Sequence, residues 1–170
     1  YEIPHMLQWG TPIDVSEYMQ WSNYNRQIIK GQKKVDIPNC VTVLPMAGQG
    51  SRFSKEGYEV PKPCIPVNGS LMFLQALKCL PNTNDIIFAS LKSHKHLFNL
   101  NKYGKVVWLD NVLEGQACTT ERIINQISNP NMSFLVSACD NGILYDSDKF
   151  LNLVNNFDND TIVSSYRNNF

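Results

Sequence analysis

The sequence predicts an α/β protein in three layers, a mostly parallel sheet with helices on both faces. Three observations carry this. From Cys40 onward, short runs rich in Val, Ile and Leu alternate with longer helix-like stretches, the pattern of repeated strand–helix units. Those runs are apolar throughout, as strands buried on both faces should be. The chain has 170 residues, 43% of them hydrophobic, which is enough for one domain with a real core.

Taken in order, residues 1–25 form a small unit. His5 to Trp9 reads as a strand end and Gly10-Thr11-Pro12 as a turn. Thr11 can cap a helix with Pro12 at its first position and Asp14 at its third. Val15, Tyr18, Met19 and Trp21 to Tyr24 supply that helix with an apolar face. Residues 26–39 contain Gly31, Lys33-Lys34 and Pro38 with little apolar periodicity, and read as a linker. Residues 40–170 then give expected strands at Val41 to Met46, Asp85 to Ala89, Lys105 to Leu109, Ser133 to Ala138 and Thr161 to Ser165. The expected helices between them are Leu71 to Leu80, His94 to Asn99, Gly115 to Ser128 and Ser147 to Phe157. The start at Tyr1 without an initiator methionine, and the end at Phe170 just after a strand-like run, suggest part of a longer protein.

Composition excludes several classes of function. The formal net charge is zero, so nothing points to a nucleic acid or an acidic membrane surface. No apolar run approaches the ~18 residues of a membrane span. The five cysteines (Cys40, Cys64, Cys79, Cys118, Cys139) are scattered, odd in number and without CxxC spacing. Reduced thiols in a cytoplasmic protein explain them better than disulfides or zinc.

The chemistry concentrates at the strand ends, where open sheets of this kind bind ligands. After the first strand comes Ala47-Gly48-Gln49-Gly50-Ser51-Arg52, small residues whose backbone can approach a phosphate. No glycine stands three residues beyond Gly50, where Phe53 is found, so the dinucleotide fingerprint is incomplete; no Gly-Lys-Ser/Thr occurs either. On glycines alone, a structural turn competes evenly with a phosphate loop. Arg52 and Lys62, the latter held between Pro61 and Pro63, favour phosphate, because a solvated lysine does not need its backbone so restricted. Asp140, in Cys-Asp-Asn-Gly after the fourth strand, suits a Mg²⁺ held by one carboxylate and phosphate oxygens, or else a plain turn. Gln116, after Gly115, suits the reading of a nucleobase edge, or else a helix cap. His94 and His96 do not face one another on a helix and read as surface residues. Trp9, Trp21 and Trp108 read as core or interface aromatics.

Together, Leu-Pro-Met-Ala-Gly-Gln-Gly-Ser-Arg-Phe, Val-Pro-Lys-Pro, Leu-Glu-Gly-Gln-Ala and Cys-Asp-Asn-Gly, in that order over Cys40 to Phe170, resemble the sugar-phosphate nucleotidylyltransferases. The resemblance implies a Rossmann-like, nucleotide-diphospho-sugar transferase-like fold and a Mg²⁺-dependent transfer of NMP from a nucleoside triphosphate to a sugar 1-phosphate or similar phosphate, with release of pyrophosphate. Ala47, Gly48, Gly50 and Ser51 would wrap the triphosphate. Arg52 would act on its β- and γ-phosphates and Lys62 near the α-phosphorus. Gly115 and Gln116 would recognise the base, and Asp140 would hold Mg²⁺. The implied destination is activated sugar for surface polysaccharide. Homo-oligomeric or tandem-domain contacts stay open.

Two departures accompany the resemblance. The half of the family that carries the acceptor pocket and a second metal carboxylate follows the strand equivalent to Thr161 to Ser165, and so lies outside these residues. Gln8-Trp9-Gly10-Thr11-Pro12-Ile13-Asp14 resembles a segment near the family's C-terminal end, yet here it precedes the Gly loop. A tandem order, a circular order and an excerpt each account for this, the tandem or excerpted chain best. Competing functions are a non-catalytic nucleotide-binding repeat and a nucleotide-sugar glycosyltransferase. The latter usually shows an Asp-x-Asp that Asp140-Asn141-Gly142 lacks. A dehydrogenase fits least, for the missing glycine.

Overall fold

The computed structural model describes residues 10–30, 32–129, 131–156 and 161–165. In chain order the elements are α1 (Pro12–Lys30), β1 (Asp36–Pro45), α2 (Ser51–Lys55), a 3₁₀ turn Lys62–Cys64, β2 (Pro66–Val67), β3 (Ser70–Leu71) and α3 (Met72–Lys78). There follow β4 (Asn82–Leu91), 3₁₀ turns at Lys92–His94 and Leu100–Lys102, β5 (Lys105–Leu109), α4 (Gln116–Ile124), β6 (Ser133–Val136) and α5 (Ser147–Asn156).

Four strands form one parallel sheet in the order β5-β4-β1-β6. The first strand of the sheet is central, the next two are added on one side and the fourth on the other. This is a Rossmann-like order, and its direction reverses between β1 and β6. Successive residues on a strand point to opposite faces. Val41 and Val43 with Ile87 and Ala89 therefore pack on one side against Ile123 of α4. Leu44 and Met46 with Phe88 pack on the other against Phe73 of α3, whose ring meets Phe88 edge-on at 5.8 Å. Burial on both faces explains why β1 and β4 carry no polar alternation. The expectation fails for β6, at the edge of the sheet, where Phe134 and Val136 are exposed.

Several sequence expectations need correction. β1 begins at Asp36 and α1 runs on to Lys30, so both ends of the stretch read as a linker belong to regular elements. β1 reaches back past Pro38 through an irregularity in register between Ile37 and Val41, where Asn39 takes a positive φ of 54°. The helix expected at His94 to Asn99 is replaced by 3₁₀ turns; it is short, uncapped and without an apolar face. Thr161 to Ser165 is not a strand. Among the described residues its β-branched residues find no neighbour to pair with, and Val163 is 81% exposed. The α1 cap forms as read: Asp14 N–H donates to Thr11 Oγ1 (3.2 Å) and Thr11 N–H to Asp14 Oδ2 (2.9 Å). Its apolar face does not join the core, however. Val15, Tyr18, Met19 and Trp21 are exposed, while Trp108 is half-buried. His96 is exposed as read but His94 is half-buried. The expected strand end at His5 to Trp9, with Trp9 itself, lies outside the described residues, as does Gly31. Among the described residues no helix is long and apolar enough to cross a membrane.

Candidate functional site

β1 delivers its chain to the carboxyl edge of the sheet with Met46 and Ala47 still buried, then opens at the exposed Gly48 and Gln49. Among the described residues no acceptor takes the backbone N–H groups of Gly48, Gln49 or Gly50. Gly50 sits at φ 62°, a conformation that favours glycine, and its carbonyl accepts from Phe53 and Ser54 to start α2. A Cβ on Gly50 would lie 3.3 Å from Cβ of Lys62, so the two loops are in close contact.

The proline pair does what its chemistry suggests. Pro61 precedes the 3₁₀ turn and accepts the Cys64 N–H (2.7 Å), while Pro63 and Cys64 are buried. The Lys62 backbone is thus anchored and its side chain projects over the glycine loop, with Nζ 5.8 Å from the Phe53 ring centre. Nζ also donates to Asp140 Oδ2, forming an ion pair with a residue 78 positions away. The two side chains are 21% and 33% exposed, so this pair faces the cleft and is only partly screened by water.

Asp140 stands in the turn after β6, on the far side of the point where strand order reverses. Cys139 before it is buried. Burial chiefly, and then the Asp140 charge, push its thiol up to about 11, against the opposing influence of Lys62. Burial, followed by the neighbouring Cys139, pushes the Cys64 thiol up to about 11 as well. All five cysteines are free thiols.

A cleft of about 450 Å³ lies between these segments, and all nine sequence-predicted site residues line it: Ala47, Gly48, Gly50, Ser51, Arg52, Lys62, Gly115, Gln116 and Asp140. Gln116 is the exposed first residue of α4, and Thr119 Oγ1 donates to the Gly115 carbonyl (3.0 Å) to fix that helix start. Arg52 has no ion-pair partner among the described residues. With Arg52 and Lys62 against Asp140 alone, the lining carries a net positive charge.

Asp140 is the only acid on the cleft wall, and no group of three or more His, Cys, Asp or Glu that could hold a metal occurs among the described residues. One partly exposed carboxylate beside two cations fits a Mg²⁺ that would arrive with phosphate oxygens, not an all-protein cage.

Sequence reasoning missed residues that shape this site. Val112 and Leu113 form an apolar wall beside Gln116. Tyr24 donates its hydroxyl to the Gly142 carbonyl. Gln32 donates to the carbonyls of Cys79 (2.5 Å) and Ile143 (3.1 Å) and accepts from Tyr145 N–H (3.2 Å). Together they brace the loop that follows Asp140. No local pattern announces contacts more than a hundred positions apart. The short β2–β3 hairpin did carry a signal, Asn68-Gly69, both at positive φ (49° and 74°).

No protein-family model matches the chain, and a search of curated proteins finds no match either.

Proposed function

We propose that the cleft at the end of β1 is the nucleotide site of a sugar-phosphate nucleotidylyltransferase, with the nucleotide-diphospho-sugar transferase-like form of the fold. The observation that carries this reading is the convergence of two cations and one carboxylate on the glycine loop, at the reversal point of a parallel sheet.

Each residue has a physical task. The N–H groups of Gly48, Gln49 and Gly50, which meet no acceptor among the described residues, receive phosphate oxygens, and Arg52 neutralises the β- and γ-phosphates. Gln116, with Val112 and Leu113 alongside, receives the base. Lys62 lies between the loop and Asp140, where it can leave the carboxylate to meet charge at the α-phosphorus. An oxygen of a sugar 1-phosphate attacks that phosphorus; the new P–O bond forms as the bond to the β-phosphate oxygen breaks, and pyrophosphate leaves. Positioning and charge neutralisation supply most of the catalysis in such chemistry. Asp140 would hold Mg²⁺, which would withdraw charge from the phosphates when bound.

The test is pyrophosphate release by the full chain with Mg²⁺, a panel of nucleoside triphosphates and a panel of sugar 1-phosphates. Release that depends on both substrates supports transfer. Triphosphate binding without release across the panel would leave a non-catalytic nucleotide-binding domain, the second reading, favoured by the single carboxylate on the cleft wall.

A further inference from the structure

Asp140 stands at the head of a loop, residues 141–146, that leads into α5. Among the described residues, the backbone of 141–145 makes three hydrogen bonds to the rest of the chain. All three go to two side chains that precede the glycine loop. Tyr24 of α1 donates its hydroxyl to the Gly142 carbonyl. Gln32, in the stretch that reads as a linker in the sequence, donates Nε2 to the Ile143 carbonyl (3.1 Å) and accepts the Tyr145 N–H on Oε1 (3.2 Å). The same Nε2 donates to the Cys79 carbonyl (2.5 Å) at the end of α3. The half-buried Gln32 amide thus ties the loop to a helix whose Phe73 is packed against the sheet. Ser147 Oγ donates to the Lys33 carbonyl (2.6 Å) and fastens the far end of the loop to the same stretch.

The Asp140 carboxylate accepts one hydrogen bond among the described residues, from Lys62. When Lys62 turns to a phosphate, that bond is lost, and only the backbone of the loop keeps the carboxylate at the cleft. Whatever order the loop lacks at that moment must be supplied on binding, which costs free energy. Groups that orient a ligating side chain from outside act on metal affinity without touching the metal.

We infer that Gln32 is a positioning residue for the metal carboxylate: with Tyr24, it fixes the loop so that Asp140 stays at the cleft edge once Lys62 has left it. The inference rests on the nucleotidyl-transfer reading of the cleft. It gives the part of the chain ahead of the glycine loop a task in the reaction, although neither Gln32 nor Tyr24 lines the cleft. In the free protein the ion pair and the brace act together, so loss of the brace is felt most when the ion pair opens.

Two variants of the full chain test this. Gln32→Leu keeps the bulk of the side chain and removes its three hydrogen bonds, and Tyr24→Phe removes a single hydroxyl and keeps the ring. Tyr24→Phe carries the test alone if Gln32→Leu does not fold. Three quantities are measured: amide hydrogen exchange across the chain, affinity for a non-hydrolysable triphosphate analogue in EDTA, and Mg²⁺ binding to the analogue-saturated chain by calorimetry. Amides 141–145 should exchange faster in both variants while those of β1 and β4 keep the parent rate. Analogue affinity in EDTA should stay within about twofold, since neither residue touches that cleft. The Mg²⁺ concentration for half-saturation should rise about tenfold in Gln32→Leu and roughly two- to threefold in Tyr24→Phe. Unchanged Mg²⁺ binding, loop amides that exchange as in the parent, or an equal loss of analogue affinity in EDTA overturns the positioning role while the nucleotide site stands. Failure of the analogue to bind the parent chain overturns the reading beneath it, and this inference with it.

Discussion

Lys62 and Asp140, 78 residues apart, form an ion pair in the cleft between the glycine loop and the turn after β6. Each is the sort of group that a phosphate or a metal would claim, and in the free protein each satisfies the other. A ligand must therefore compete with the pair, and its two members should respond differently to removal.

Lys62→Ala should lower kcat at least about a hundredfold while weakening triphosphate binding less than about tenfold, because in the proposed reaction its charge matters most as the α-phosphorus is attacked. Steady-state kinetics beside equilibrium binding give the two numbers. Equal losses in both would mean that Lys62 only binds.

Asp140→Asn should fold normally and lose its Mg²⁺ dependence. The Lys62 side chain is 21% exposed, so the substitution leaves no deeply buried lysine charge behind. Circular dichroism and a Mg²⁺ titration of activity measure both effects. A variant that unfolds would instead make Asp140 a structural turn residue.

Two glycines separate folding from binding. A Cβ on Gly104 would lie 2.3 Å from the Ile86 carbonyl oxygen, so Gly104→Ala should push β5 away from β4 and cost about 1–3 kcal/mol in a denaturant melt. A Cβ on Gly48 meets nothing within 4 Å. Gly48→Ala should melt like the parent yet bind triphosphate less tightly, since only a bound ligand would feel the methyl group. If Gly48→Ala destabilises the fold and spares binding, the loop is a turn and no more.

Alkaline stability follows from the buried thiols. Cys64 and Cys139 hold their protons to about pH 11, whereas in the unfolded chain they release them near the ordinary value of 9. Between those values the native state binds protons that the unfolded state has lost, so stability is complete below about pH 9 and falls as pH rises toward 11. Burial raises the Tyr24 and Tyr145 hydroxyls too, which adds to the same trend. Melting temperatures measured from pH 7 to 11 should stay level and then drop; a rise above pH 9 would contradict this. Alkylation at pH 8 should reach the half-buried Cys118 before the other four.

What was legible in the sequence depended on how locally it was determined. The buried strands from Val41, Asp85 and Lys105 were readable because burial on both faces leaves a continuous apolar run. The Thr11–Asp14 cap was readable because its partners are three residues apart. That the candidate residues share one cleft was readable because they stand at strand ends, which the topology gathers on one edge. Thr161 to Ser165 misled because β-branched residues state only a preference, and a strand needs a neighbour. The contacts of Tyr24 and Gln32 with the loop after Asp140 were not legible, because each depends on the folded position of two distant segments. Asn68-Gly69 is a local signal too, the turn pair of a two-residue hairpin.

The central claim is that the cleft brings the α-phosphorus, not the γ-phosphorus, to the acceptor. It is tested most directly by following label from α-³²P and γ-³²P nucleoside triphosphate in parallel, with Mg²⁺ and a sugar 1-phosphate present. Label from the α position should appear in a sugar-linked product and label from the γ position in pyrophosphate. Label from the γ position in inorganic phosphate or on the sugar, with the α label left in nucleoside diphosphate, would contradict it.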